Sequence, residues 1–179
     1  MHLRHVRPSD AAELARGFER LSPSSRYRRF LTGGTALSSE LLRYLTCVDG
    51  HDHVAIVAAT NTADGHETGI GIARFIRAKD DPDVAEAAVT VVDEMQHKGV
   101  GRRLALTLAR AALERGVLRF RGELLAENDP MRRLLADAGA TVRPSEDRSL
   151  VFEVQLGSHD PQQLESIVRR LLRAVSRSA

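Results

Sequence analysis

The segment that most constrains how this chain can fold is a glycine-containing turn between an apolar run and a helical pattern. Residues 85–92 are largely apolar and predict a strand, and residues 102–115 repeat apolar side chains at the spacing of a helix. Gly99 and Gly101 lie between them. The segment therefore predicts a strand, a tight turn and the start of a helix in direct succession.

This turn is a candidate site for a phosphate or pyrophosphate. Glycine lets the backbone approach a ligand closely and turn its N–H groups toward it. The first turn of a helix adds N–H groups without intrahelical partners and the positive end of the helix dipole. Lys98, Arg102 and Arg103 add mobile positive charge at the same place.

Two common phosphate-binding loops do not fit the segment. A Walker loop needs a Gly-Lys-Ser/Thr triplet, and the magnesium-binding hydroxyl is missing after Gly101. A Rossmann loop needs three glycines near the start of a βαβ unit, whereas Gly69 and Gly71 lack the third and lie within a strand pattern. A plain turn before a basic helix is the structural alternative.

Apolar periodicity and turn signals predict the order strand, three helices, hairpin, strand, helix, strand, helix, two strands and a final helix. A hairpin-rich first half followed by strand–helix–strand units indicates a mixed α/β sheet with helices on both faces. The length of 179 residues fits one domain. The predicted helices cover residues 9 to about 21, 26–31, from 38 or 39, 102–115, 129–138 and 160–176, and the predicted strands cover 1–8, 53–60, 68–78, 84–92, 117–126, the region of 142, and 150–156.

Several motifs resemble the GNAT acetyltransferase superfamily. Gln96-x-x-Gly99-x-Gly101 is similar to its coenzyme A pyrophosphate loop, and Asn128-x-x-Met131-x-x-Leu134 is similar to its second motif. Residues 6–10 with 20–30, and residues 85–93, resemble the bacterial protein-lysine acetyltransferase branch. The resemblance extends from about Leu3 to Leu156.

The resemblance implies a GNAT-like mixed α/β (α+β) fold, with a central, mostly antiparallel twisted sheet of about six to seven strands and helices on both faces. Residues 1–157 would form the N-acetyltransferase domain, and residues 158–179 would add a C-terminal amphipathic helix to it. The apolar stripe of that helix predicts packing on its own domain, with a homodimer contact as the alternative to a monomer.

The implied activity is acetyl-coenzyme A-dependent transfer of an acetyl group to an amine, by direct transfer in a ternary complex. The expected acceptor is a protein lysine. A small-molecule amine and a non-catalytic coenzyme A-binding regulatory protein are the alternatives.

The resemblance also assigns the cofactor site. Backbone groups at the end of the strand would bind the pantetheine arm as an added strand does, and the loop would bind the pyrophosphate. Asn128 would lie near the pantetheine arm, although without the resemblance it reads as a helix cap. The expected cofactor-binding residues are Val91, Val92, Asp93, Gln96, His97, Lys98, Gly99, Val100, Gly101, Arg102 and Asn128.

Acetyl transfer needs a neutral amine, and a lysine amine has an unperturbed pKa of about 10.4. A carboxylate in a partly apolar pocket can remove the proton directly or through water. Glu86 is the candidate, because it shares a strand face with Ala88 and Thr90 and the resemblance implies a glutamate base at this position. A solvated glutamate at the start of the strand is the alternative. The tyrosine that protonates the leaving thiolate in many GNAT members is replaced by Leu135.

Composition excludes several other classes of partner. The formal net charge is +2, and aromatic residues make up 4% of the chain without any tryptophan, which argues against nucleic-acid binding. No run of about 18 apolar residues is present, so no membrane interaction is expected. The single cysteine, Cys47, agrees with a reducing compartment and a cytoplasmic location, and we expect it to be a small buried apolar side chain.

Two further clusters of side chains each have a structural and a functional interpretation. His51 and His53 alternate as metal ligands can, but no further Cys or His is placed to complete a site, so no metal is expected. Arg26, Arg28 and Arg29 would either recognise an acidic substrate surface or form an ordinary solvated face. The sequence does not decide between these two.

Overall fold

Seven strands and five α-helices form the part of the chain that the computed structural model describes, which is residues 1–30, 36–61, 65–145 and 149–158, with residues 28–30 described by backbone only. The strands are β1 (His2–His5), β2 (His53–Asn61), β3 (Glu67–Arg77), β4 (Val84–Val91), β5 (Arg119–Leu125), β6 (Thr141–Pro144) and β7 (Ser149–Gln155). The helices are α1 (Ala11–Glu19), α2 (Pro23–Phe30), α3 (Ser39–Thr46), α4 (Val100–Leu113) and α5 (Asp129–Asp137).

Hydrogen bonding arranges the strands in the order β1-β2-β3-β4-β5-β7-β6. The pairs β1–β2, β2–β3, β5–β7 and β6–β7 are antiparallel, and β4–β5 is parallel. The parallel pair is the one joined by α4, as expected because parallel neighbours need a crossover connection. The predicted mixed, mostly antiparallel sheet is confirmed.

The predicted elements differ from the structure mainly at their ends. The second helix, predicted over residues 26–31, begins earlier, at Pro23, because proline is well tolerated in the first turn of a helix. Helix α4 begins at Val100, two residues before the predicted start. The predicted helix over residues 160–176 lies outside the described residues.

The chain divides into two compact units. The first contains residues 1–76 and 88–111, and the second contains residues 77–87 and 112–179. In the first unit, β2 is buried along almost its whole length, as its continuous apolar sequence favours. Val57 and Ala59 from this strand form a core cluster with Val6. In the second unit, Phe120 and Phe152 are buried.

Two other expectations concern the burial of Cys47 and helices that could span a membrane. Cys47 is exposed rather than buried, because it lies at the C-cap of α3, whose final turn buries Leu45 and Thr46 instead. None of the described helices combines the length and apolarity needed to cross a membrane.

Replacing Gly122 by alanine should destabilise the protein by about 1–3 kcal/mol, because the new Cβ would overpack the core. That Cβ would lie 2.7 Å from the ring of Phe152 and 3.2 Å from the carbonyl oxygen of Ala87. Gly17→Ala is the matched control: nothing lies within 4 Å of its Cβ, and alanine favours a helix by about 0.5–1 kcal/mol. Urea unfolding should therefore move the two midpoints in opposite directions, and equal midpoints would contradict this packing.

Candidate active site

The loop between β4 and α4 has a backbone that only a few residue types adopt readily. After a 3₁₀ turn at Asp93–Met95, His97 has φ 59° and Gly99 has φ 76°. Left-handed conformations of this kind favour glycine because a Cβ is strained there. A Cβ built at Gly99 would meet no heavy atom within 4 Å, so the space above the loop is open to a ligand.

The loop leads directly into the N-terminus of α4. Arg103 donates its backbone N–H to the Gly99 carbonyl at 3.1 Å, and the N–H groups of Val100 and Gly101 precede this first intrahelical bond. The side chains of Lys98 and Arg103 are exposed beside them. Backbone donors, the positive end of a 14-residue helix and mobile cations therefore meet at one place, as a diphosphate requires.

Gln96 has a structural contact that the sequence analysis did not anticipate. Its side-chain amide donates to the Val91 carbonyl oxygen at 3.1 Å and to Ser25 Oγ at 3.3 Å. The backbone N–H of Val92 donates to the Ile70 carbonyl oxygen at 3.1 Å. Gln96 thus fastens the loop to the end of β4, while the Val91 carbonyl keeps a second lone pair for another donor.

Asp93 holds the start of α2. Its carboxylate accepts hydrogen bonds from the Ser22 backbone N–H at 2.9 Å, from Ser22 Oγ at 2.8 Å and from Ser25 Oγ at 2.9 Å. Burial acts to raise the pKa of Asp93, but the hydrogen bonds from the two serines outweigh it and hold the pKa below its usual range. Asp93 is therefore an anchor for the helix.

The two serines were missed by the sequence analysis. Ser22 precedes Pro23, and its Oγ accepts from the Ser25 backbone N–H at 3.2 Å, as an N-cap does. The Ser-Pro pair was a recognisable N-cap signal. The sequence did not show that a carboxylate from the distant loop would bind the same residues.

Arg20 makes a second connection between the loop and the rest of the first unit. Its guanidinium donates to the Gly69 carbonyl oxygen at 2.9 Å and to Glu94 Oε1 at 2.8 Å. Glu94 is accordingly a loop anchor. These contacts and those of Asp93 fix where the loop stands relative to α1 and α2.

Glu86 lies in the second unit, in a more polar place than the sequence analysis expected. Its side chain is 66% exposed, and its Oε1 lies 3.6 Å from Nη2 of Arg121, its partner across the parallel β4–β5 pair. Arg121 also donates to Asp80 at 3.1 and 3.2 Å, and these hydrogen bonds hold the pKa of Asp80 below its usual range. The expectation of a partly apolar pocket is wrong here, because charged β5 side chains share this face. The role of Glu86 as the base stays a prediction.

Asn128 does act as a helix cap, the simpler of its two interpretations. Its Oδ1 accepts from the Met131 backbone N–H at 3.4 Å at the start of α5. A role beside the pantetheine arm stays a prediction. In the same helix Leu135 is buried, with 5% of its surface exposed.

The remaining clusters have structural contacts. Arg26 donates to the carbonyl oxygens of Leu21 and Glu19 and stacks 4.7 Å from the ring centroid of Phe18, which favours a structural role. The side chains of Arg28 and Arg29 lie outside the description. Among the described residues, no group of three or more His, Cys, Asp or Glu side chains is placed to hold a metal ion.

Comparison with known proteins decides the family. The model of the GNAT acetyltransferase domain matches residues 1–141. The chain belongs to the GNAT acetyltransferase family. The expected membership of the superfamily is confirmed.

Two GNAT relatives also support the resemblance to the protein acetyltransferase branch. The acetyltransferase Pat of Mycolicibacterium smegmatis is 34% identical over 184 residues, covering 98% of this chain and 54% of that protein, so the chain spans about half the length of this curated relative. The GNAT domain of PAT from S. lividans is 32% identical, with a TM-score of 0.77 over 86% of this chain and 89% of that one.

A more distant GNAT neighbour shows the same fold. The protein yncA from Salmonella typhimurium, whose structure includes its cofactor acetyl-coenzyme A, is 19% identical with a TM-score of 0.68. The match covers 88% of this chain and 95% of that one. This similarity confirms the architecture alone.

Replacing Asp93 by asparagine should lower the free energy of unfolding by about 1 kcal/mol at pH 7, less than for a fully buried charge because solvent screens part of the carboxylate. The folded-state pKa is depressed, so the stabilisation is present above the unfolded pKa of about 3.9 and is lost as the pH falls through the folded value. Urea unfolding at pH 7 and at about pH 3 should show the difference from the parent protein shrinking in acid.

The exposed Asp137, replaced by asparagine, should change stability by about 0.5 kcal/mol or less at either pH. An Asp93→Asn difference that grew in acid would contradict the role of Asp93 as an ionised anchor.

Proposed function

We propose that this GNAT member is an acetyl-coenzyme A-dependent N-acetyltransferase that acylates a lysine side chain of a protein by direct transfer. The observation that carries the proposal is the loop from Gln96 to Arg102, where an open left-handed turn enters a helix N-terminus flanked by exposed cations. Membership of the GNAT family supports the same ligand.

Each part of the loop would bind a different part of the cofactor. Backbone N–H groups around Gly99 to Gly101 would bind the pyrophosphate, with Lys98 and Arg102 contributing charge. Val91 and Val92 would offer backbone groups to the amides of the pantetheine arm, as an added strand does. Val100 is buried, with 3% of its surface exposed, so its side chain would support the loop by packing in the core. His97 and Asp93 would set the conformation of the loop.

The chemical step needs a base for the acceptor. Glu86 would take one proton from the incoming ammonium group, directly or through water, and the freed nitrogen lone pair would attack the thioester carbonyl carbon. The C–N bond forms as the C–S bond breaks, and the sulfur leaves with the electron pair. The second proton, which the nitrogen loses as it becomes a neutral amide, passes to water. The exposure of Glu86 supports this role toward a protein substrate, because a lysine on a folded surface can reach it and its docking would exclude water.

Leu135 supports a second function, a coenzyme A-binding regulatory protein without turnover. The family tyrosine that would protonate the leaving thiolate is missing, and the leucine is buried. A coenzyme A thiolate can take its proton from water, so catalysis does not require a substitute. Thiol release on an acceptor panel distinguishes the two functions, because binding without turnover on any acceptor would favour the regulatory protein.

Replacing Gly99 by alanine should weaken coenzyme A binding at least about tenfold, since the strained turn would move the N–H groups that bind the diphosphate. Gly50→Ala is the matched control. Gly50 has φ 74°, close to the 76° of Gly99, and also has no heavy atom within 4 Å of an added Cβ.

Both variants should lose similar stability, about 1–2 kcal/mol, from the left-handed backbone. Calorimetric titration with coenzyme A should separate them. Equal coenzyme A affinities for the two variants would contradict a role for this loop in binding coenzyme A.

Replacing Glu86 by glutamine should lower turnover by about 10²-fold or more while leaving acetyl-coenzyme A affinity nearly unchanged, because the amide cannot accept the proton. Glu153→Gln is the matched control, since Glu153 is an exposed carboxylate that lies 3.8 Å from Arg119 much as Glu86 lies near Arg121. Steady-state thiol release with a lysine peptide should be near normal for the control. An equal loss of affinity and turnover in Glu86→Gln would make Glu86 structural.

A further inference from the structure

The first unit contains an apolar pocket for which the proposed function gives no occupant. Its cavity volume is about 80 Å³, several times the roughly 10–15 Å³ that one water molecule needs. Leu14, Phe18 and Leu21 line it from the side of α1, and Val57 and Ile72 line it from the sheet. A concave surface of this composition favours an apolar guest.

The charged groups at the pocket all have partners within the protein. Arg4 forms ion pairs with Asp10 at 2.7 Å and with Glu67. The hydrogen bonds of Glu67 with Arg4 and His2 lower the pKa of Glu67 to about 2. Glu13 accepts from the Gly69 backbone N–H at 2.9 Å and pairs with Arg16 at 2.6 Å.

The same holds for Arg74, which also lines the pocket, because this buried side chain donates to the Leu45 carbonyl oxygen at 3.1 Å. An ammonium group entering the pocket would compete with these existing pairs for its counter-ion. The apolar walls without an uncompensated carboxylate therefore favour a neutral alkyl group over the stem and head of a lysine.

The pocket reaches the strand that is proposed to bind the cofactor. Thr90 and Val92 of the β4 end line it. The alternate residues face α4 instead, since a Cβ at Gly101 would lie 3.6 Å from Cγ2 of Val91 and 4.0 Å from Cγ1 of Val89. A group attached to the thiol of a cofactor lying along Val91 and Val92 can thus enter the pocket from the face opposite α4.

We propose that this pocket receives the alkyl part of the acyl group, so that the protein accepts coenzyme A thioesters with chains longer than acetyl. The proposal rests on the proposed function, because it takes the cofactor to lie along the end of β4. A two-carbon acyl group would leave most of the apolar wall in contact with water. Each further methylene would remove apolar surface of both chain and wall from water.

The affinity of the protein for a series of saturated acyl-coenzyme A molecules tests this directly. Calorimetric titration of the full chain would compare free coenzyme A with its acetyl, propionyl, butyryl and hexanoyl thioesters. Complete burial of one methylene corresponds to about a fourfold gain in affinity, so we expect at least about a tenfold gain from acetyl to hexanoyl.

Gly17 offers a way to fill the pocket without disturbing its walls. It lines the pocket from α1, its φ lies outside the left-handed region, and an added Cβ would meet nothing within 4 Å. Gly17→Leu should therefore occupy part of the volume and lower the hexanoyl-to-acetyl affinity ratio severalfold. Ala12→Leu, which adds a larger side chain at an exposed position of the same helix, should keep the ratio of the parent protein.

The possible outcomes distinguish failure of the acyl pocket from failure of the proposed function on which it rests. Binding of free coenzyme A with no gain along the series would overturn the acyl pocket and leave the proposed function standing. A ratio that is the same in Gly17→Leu, Ala12→Leu and the parent would also overturn it. A rise only in the acceptor KM of Gly17→Leu would assign the pocket to the acceptor. If neither coenzyme A nor any thioester bound, both proposals would fall.

Discussion

The proposed diphosphate site at the start of α4 depends on a left-handed turn that the surrounding residues hold in place. His97 and Gly99 both have positive φ, and such a backbone persists only when its surroundings determine it. Asp93 supplies one anchor through Ser22 and Ser25, and Gln96 supplies another through the Val91 carbonyl. The proposed site for the cofactor diphosphate is therefore built by contacts with α2 and β4 as much as by the glycines themselves.

Strand β4 has different surroundings along its length. Near its end, Val92 is buried and Thr90 lines the apolar pocket. Near its start, Glu86 is exposed and lies beside Arg121. An exposed carboxylate is accessible to a protein substrate, and an apolar wall suits an acyl chain.

The order of strands and helices could be predicted from the sequence because periodicity and turn residues report local structure. Residues 84–92 and 129–138 were placed to within about two residues of β4 and α5. The periodicity and turn residues that predict these two elements lie within the elements or next to them in the sequence.

The environments of individual side chains were harder to predict. Cys47 and Glu86 were expected in apolar surroundings, but the structure places both in exposed positions. Gln96 and Asp93 were expected to be cofactor-binding residues, and the structure shows that both also bind residues of α2 or its cap. Burial and partners at these positions depend on residues far apart in the sequence, which periodicity does not report.

A crystal structure of this protein in complex with coenzyme A would show whether the diphosphate occupies the loop before α4. We expect the pyrophosphate within hydrogen-bonding distance of the backbone N–H groups of Gly99 to Gly101, with the pantetheine arm along Val91 and Val92. A diphosphate bound at any other part of the chain, with this loop empty, would contradict this expectation.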